Sequence, residues 1–308
     1  MKKKIVIGVC ALFLVFVFVA SHQQPNPRDN KGTQSTSVSE NVSDVFSNPQ
    51  RVVIEGYKGT AMEPFISRDG QYLFFNNNNN QKPNTNLYYA KMVNDTTFTF
   101  QGEVGGVNTP SLEAVASMDT AGNFYFITTK SYDQNRMTLY HAVFSGGGLS
   151  GVAPVEGISR NQPGLLNMDA EINLAGDALY YADNPFTGGD APKVSNIEVA
   201  TKNADGSFTK LSNSSELVKN INNGDLNYAP SISQNGLELF FTRAKAGSVR
   251  VYVARRNSTS EPFGISQLVA AADGFVEGPT LSSDGTHLYY HKKVGGGAYA
   301  IYVVTRKK

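Results

Sequence analysis

Cysteine is almost absent from this chain: Cys10 is the only one, and it lies inside an apolar run near the start. The remainder can form no internal disulfide, perform no thiolate chemistry and offer no thiolate to a metal. Charge is scarce as well, at 17% of residues with a formal net of +1, so no basic surface exists for nucleic acid or an anionic membrane. Histidine occurs four times, at His22, His141, His287 and His291; only the last two share a repeat, and on a strand their spacing of four is not the helical pair of a zinc site. Long apolar runs are missing apart from residues 5–20, which at 16 residues are short for a membrane span. No phosphate-binding glycine loop, G-x-S-x-G elbow, H-E-x-x-H helix or EF-hand loop occurs.

What is present begins with MKKK ahead of that apolar run, the charged and apolar regions of an export signal, with Val19, Ala20 and Ser21 as a small-residue cleavage site. Residues 1–21 are therefore expected to send the chain to a periplasmic or extracellular location, or, if uncleaved, to anchor it in the inner membrane. Residues 22–45 are polar and aperiodic and read as a disordered linker. The folded domain is expected over residues 46–308.

Within that domain one phrase recurs five times: MEPFISRDGQYLFF at 62–75, LEAVASMDTAGNFYF at 112–126, MDAEINLAGDALYY at 168–181, YAPSISQNGLELFF at 228–241 and EGPTLSSDGTHLYY at 277–290. Each reads as a strand, a tight polar turn with glycine, and a second strand ending in an aromatic pair. The turn residues Gly70, Gly122, Gly176, Gly236 and Gly285 stand 52, 54, 60 and 49 residues apart. A third alternating segment follows every hairpin (87–91, 139–143, 197–201, 251–255 and 301–305), and a fourth follows four of them (98–104, 149–155, 208–218 and 263–269). Four strands per repeat of about 50 residues is the pattern of a β-propeller blade. The fifth repeat lacks its fourth strand, and residues 46–55 have the texture to supply it. The expected fold is thus all-β: a five-bladed β-propeller of four-stranded blades, closed by an N-terminal strand that completes the last blade and removes exposed edges.

The x-P-x-(I/L)-S-x-D-G-x-x-L-(Y/F)-(Y/F) phrase, best kept in blades one, four and five, resembles the TolB-type WD40-like β-propeller repeat family over residues 46–306. The resemblance implies the fold. It implies no one function, because the family includes periplasmic scaffolds, propellers appended to peptidases and many other exported proteins. Blade two departs at Ala121-Gly122, and blade three at Asn173 and Ala175.

Aligning the turn glycines places Glu63, Glu113 and Asp169 within one residue of a common position before the first strand of blades one to three. Blade five offers Glu277 one residue earlier, and blade four offers Asn227 and Tyr228. First strands line the channel of a propeller, so these groups should gather at one axial mouth, joined by Arg243 and His291 from the loops after the second strands. Such groups suit sugars or peptides; alternatively, the acids bond backbone amides of adjoining blades. No cofactor and no metal site of the usual motifs is expected, although like charges held close together would recruit a cation into the channel. With no complete catalytic motif, the first reading is a monomeric, non-catalytic propeller binding a protein, peptide or glycan at its axial face. The rival is a glycosidase using Glu63, Glu113 and Asp169 as its carboxylates.

Overall fold

The computed structural model describes residues 41–79, 85–186 and 192–308. It forms a five-bladed β-propeller. The innermost strands, in blade order, are Met62–Ile66, Glu113–Met118, Leu165–Ile172, Leu226–Ile232 and Val276–Leu281, and each packs against the innermost strand of the next blade around the ring. The second strands follow across tight turns, pairing antiparallel, so the first strands begin and the second strands end at the same axial face.

The repeated turn has a chemical cause. In blade one the Ser67 hydroxyl donates to Asp69 Oδ1 at 2.5 Å, while Asp69 Oδ1 accepts from the Gln71 N–H and Ser67 Oγ from the Tyr72 N–H. Blades four and five repeat this with Ser233 and Asn235 and with Ser282 and Asp284. The glycine that follows sits at positive φ, 72° at Gly70 and 73° at Gly285, where a side chain is disfavoured. The polar turn residues are thereby accounted for as structure.

Alternation along each strand sends one row of side chains into each neighbouring blade. The result is one main apolar cluster per blade interface: Phe74 with Phe124 between blades one and two, Tyr125 with Tyr181 between two and three, Ile197 with Phe241 between three and four, Phe240 with Tyr290 between four and five, and Phe75 with Tyr289 where the ring closes. Burial of each large ring contributes about 2–3 kcal/mol, so every seam, including the closing one, carries comparable apolar contact. Among the described residues no helix is long and apolar enough to cross a membrane.

The ring closes through Phe46–Arg51, which pairs antiparallel with Tyr299–Arg306 as the fourth strand of blade five. The expected closing strand over 46–55 is shorter than that. After Val52 the chain crosses to blade one, where Val53–Glu55 pairs parallel with Thr97–Glu103. Upstream, Val42–Ser43, within the stretch read as linker, pairs parallel with Gln267–Val269 of blade four. One N-terminal segment thus bonds to three successive blades. Two fourth strands are also shorter than expected: blade three has Phe208–Lys210 followed by a helical turn at Ser214–Leu217, and blade four has Gln267–Val269. The expected signal and most of the expected linker, residues 1–40, lie outside the described residues.

Deleting residues 1–40 should leave the melting temperature unchanged, and deleting 1–44 should lower it by about 2–4 °C through loss of the short parallel pairing. Deleting 1–55 should abolish the cooperative melt followed by circular dichroism. A cooperative transition after the longest deletion would mean that blade five does not need this strand.

Candidate functional site

Every innermost strand carries a β-bulge at the same point, where two residues face one on the second strand. The first bulge residue has positive φ in all five blades: Glu63 at 47°, Val115 at 55°, Asp169 at 47°, Ala229 at 48° and Gly278 at 60°. For residues other than glycine this conformation costs on the order of 1 kcal/mol or more each, and for branched Val115 it is a real outlier. The second bulge residue is unpaired, which is why Pro64, Pro230 and Pro279 are accommodated inside these strands. These paired positions line the channel around a cavity of about 20 Å³.

The strain is offset by bonds between blades. The backbone N–H of Glu63 donates to His291 Nδ1 of blade five at 3.1 Å, that of Val115 to Asn76 Oδ1 of blade one at 3.3 Å, and that of Gly278 to Thr242 Oγ1 of blade four at 3.1 Å. His291, Asn76 and Thr242 occupy equivalent places on their second strands. Blade three has Ala182 at that place and cannot accept, and there the Asp169 side chain accepts the N–H of Ala229 instead. One turn deeper, Ser117, Glu171 and Ser231 accept the N–H groups of Ile172, Ile232 and Leu281 of the next blade. Arg68 closes that deeper end: its guanidinium reaches from blade one to Glu171 of blade three at 3.1 Å and to the Ile172 carbonyl at 2.6 Å.

At the mouth end, five of the eight residues singled out from sequence come together. His291 Nδ1 is an acceptor, so its proton lies on Nε2, which donates to Glu277 Oε2 at 3.2 Å. Tyr228 donates its hydroxyl to Glu277 Oε1 at 2.5 Å. Glu63 receives the Asn79 amide at 2.9 Å, and its Oε2 lies over Gly278 so closely that a Cβ there would stand 2.4 Å from it. Asp169 completes the group. All five are buried apart from the edge of Tyr228. Burial pushes the Glu63 carboxyl up, with His291 opposing and Glu277 reinforcing; burial and the charges of Glu63 and Glu277 push Asp169 well above the usual carboxylate range. Burial alone would lower His291, but Glu63 and Glu277 more than offset it and leave it raised.

The other three residues stand apart. Glu113 lies two residues before the bulge residue Val115, not level with Glu63 and Asp169. Its carboxylate is taken up by the Thr109 N–H and hydroxyl and by the Thr128 hydroxyl, at 2.7–2.9 Å, which fixes the chain entering blade two. Arg243 and Asn227 form a separate knot: Arg243 Nε donates to Asn227 Oδ1 at 2.8 Å, its Nη2 donates to the Ile221 carbonyl, and the guanidinium lies over Tyr252 at 4.7 Å. Asn79 comes from the asparagine-rich loop at 76–86, which the sequence places on the axial face; Tyr299, packed on His291, and the Arg68–Glu171 pair were not read from sequence, because nothing in the repeat phrase distinguishes them. Among the described residues, no group of three or more His, Cys, Asp or Glu is placed to hold a metal ion.

The class that this fold and channel define is the five-bladed β-propeller. No protein-family model and no curated protein matches the chain. Solved structures do. A glycoside hydrolase aligns over 87% of this chain and 92% of its own with 10% identity and a TM-score of 0.59. A candidate glycosidase from Bacteroides thetaiotaomicron aligns over 82% and 88% with 12% identity and a TM-score of 0.52. A candidate TolB from Agrobacterium tumefaciens aligns over 76% and 70% with 14% identity and a TM-score of 0.43. At such identities the likeness extends to the fold alone.

Raised folded values for Glu63, Asp169 and His291 mean that each holds its proton more tightly folded than unfolded. Stability from this source is full below the unfolded values and is lost as pH rises through the folded ones. Asp169→Asn keeps an acceptor for Ala229 and removes the charge, so it should melt above wild type at about pH 8, the gap closing toward about pH 4. A variant melting below wild type across that range would contradict this account. His291→Ala, which strands both Glu277 and the Glu63 N–H, should cost about 3 kcal/mol in denaturant unfolding.

Proposed function

We propose that the protein is an exported, non-catalytic propeller that binds a protein, peptide or glycan partner at the axial face bearing Glu63, Asp169, Tyr228, Glu277 and His291. Export rests on the lysine-rich start and the apolar run at 5–20. The observation that carries the binding reading is the engagement of the carboxylates from within: Thr109 and Thr128 take up Glu113, Asn79 bonds Glu63, Asp169 accepts the Ala229 N–H, and Tyr228 and His291 take one oxygen each of Glu277. A carboxylate held on both sides serves poorly as a nucleophile or base. The cavity between the blades has room for about one water, whereas hydrolysis of a glycosidic bond needs a sugar ring between two carboxyl groups about 5–9 Å apart. A cluster of carboxyls at a narrow, low-dielectric mouth, where an approaching polar or cationic group favours ionisation, instead suits orientation of a partner.

A photo-reactive amino acid at exposed Lys130, on the axial face, should yield a discrete cross-linked adduct in the source cells, and one at exposed Gln234, in a turn at the opposite face, should not. Turnover of a polysaccharide or aryl glycoside that disappears in Glu63→Gln would overturn the proposal in favour of the enzyme.

A further inference from the structure

The turns opposite the mouth differ at one seam in a way that neither the fold nor the axial-face reading uses. Near the end of each third strand, one residue donates its N–H to the carbonyl just before the second strand: Met92, Phe144, Lys202, Arg256 and Arg306 in blade order. Two of the five are arginines that reach back to the preceding blade. Arg256 donates Nε to the Gly236 carbonyl of its own turn and Nη2 to the Tyr180 hydroxyl of blade three, its guanidinium over the Phe263 ring at 4.2 Å. Arg306 donates Nε to the Gly285 carbonyl and Nη2 to Glu238 of blade four, its guanidinium over Phe46 at 4.7 Å. The seams at Met92 and Lys202 are crossed by hydroxyls instead, Ser283 donating to the Arg68 carbonyl and Thr120 to the Leu174 carbonyl.

Blade two is the exception. Its hairpin is one residue shorter, with the Asp119 N–H donating to Asn123 where that of Ser67 donates to Tyr72, and Phe144 stands at the arginine place. Among the described residues no hydrogen bond joins the turns of blades one and two. They flank a groove of about 360 Å³, within the range of ligand pockets. Tyr72, Met118 and Phe144 line it, the two rings edge to face at 5.9 Å, and Asp69 and Asp119 bring carboxylates. Asp69 commits only Oδ1 to its own turn. The one cation in the lining, Arg68, is paired with Glu171. The groove thus offers aromatic faces and net negative charge at a place where two other seams hold a guanidinium against a ring. We propose that it receives the guanidinium of an arginine presented by an extended peptide segment of a partner, packed on Tyr72 and Phe144 and paired with Asp69. Arginine suits this place better than lysine, because its planar, weakly hydrated head stacks on rings and pairs with a carboxylate through two donors. The site lies on the turn face across the ring from Gln234 of blade four, and it is independent of the axial mouth.

The test is an NMR titration of the isotope-labelled full chain with a blocked Gly-Gly-Arg-Gly-Gly peptide, its lysine and citrulline counterparts, and cellobiose. The arginine peptide should bind saturably and shift the amides of Gln71, Tyr72, Ala121 and Gly122. Citrulline, which keeps the shape and loses the charge, should weaken binding at least about tenfold, and lysine should fall between the two. Asp69→Asn should fold normally, because Asn235 makes the same turn in blade four, yet bind about tenfold more weakly. Phe144→Arg, which supplies the guanidinium from within the chain, should abolish binding. Equal binding of the citrulline peptide, full affinity in either variant, preference for cellobiose, or shifts confined to the mouth would overturn the inference, as would the absence of any shift at the groove.

Discussion

The rest of the structure depends on a backbone constraint repeated five times: the innermost strand of every blade must bulge, and the first bulge residue must adopt positive φ. A continuous ladder through the channel wall would keep every inner N–H within its own blade. The bulge releases one N–H per blade to reach the neighbour, and His291, Asn76 and Thr242 receive three of the five. Strain in one blade is thus offset by a bond to the next, which ties local conformation to closure of the ring. No blade can relax alone without giving up an interblade hydrogen bond at the most buried part of the molecule.

The outer rim applies the same logic with different means. Blades four, five and one are joined at their outer edges by one stretch of chain, through Val42–Ser43, Phe46–Arg51 and Val53–Glu55. At the closing seam, His291 bonds Glu63 at the axis, Phe75 packs with Tyr289 midway, and Val53–Glu55 pairs at the rim. The junction between the last blade and the first is therefore held at three radii, at the rim by the chain itself as it passes from blade five to blade one.

How much of this was legible in sequence follows from what a repeat preserves. Turn chemistry and aromatic pairs recur because each blade needs them independently, so blade number, strand order and the closing strand could be read directly. The bulge obscured the site. Counting back from the turn glycine ignores the extra residue and the altered hairpin of blade two, and it set Glu113 level with Glu63 and Asp169 when Val115 is the true equivalent. Arg243 was grouped with the mouth because it follows a second strand, but its guanidinium turns into the blade toward Asn227, Ile221 and Tyr252. Arg68 was invisible for the opposite reason: it sits inside the turn phrase, where only its neighbours Ser67 and Asp69 carry the repeat, and its long side chain acts across the ring at Glu171.

The equivalence of Glu63, Val115, Asp169, Ala229 and Gly278 also explains why the channel can be chemically one-sided. Five identical backbone positions present five different side chains, and each choice is constrained by its neighbour. Gly278 is bare because the Glu63 carboxylate occupies the space where its Cβ would lie. Asp169 carries an acceptor because Ala182 leaves the Ala229 N–H without one. Glu63 stays close to His291 because the bulge that exposes its N–H also brings its carboxylate to the same ring. The acids accordingly follow the needs of particular seams and do not spread evenly around the axis.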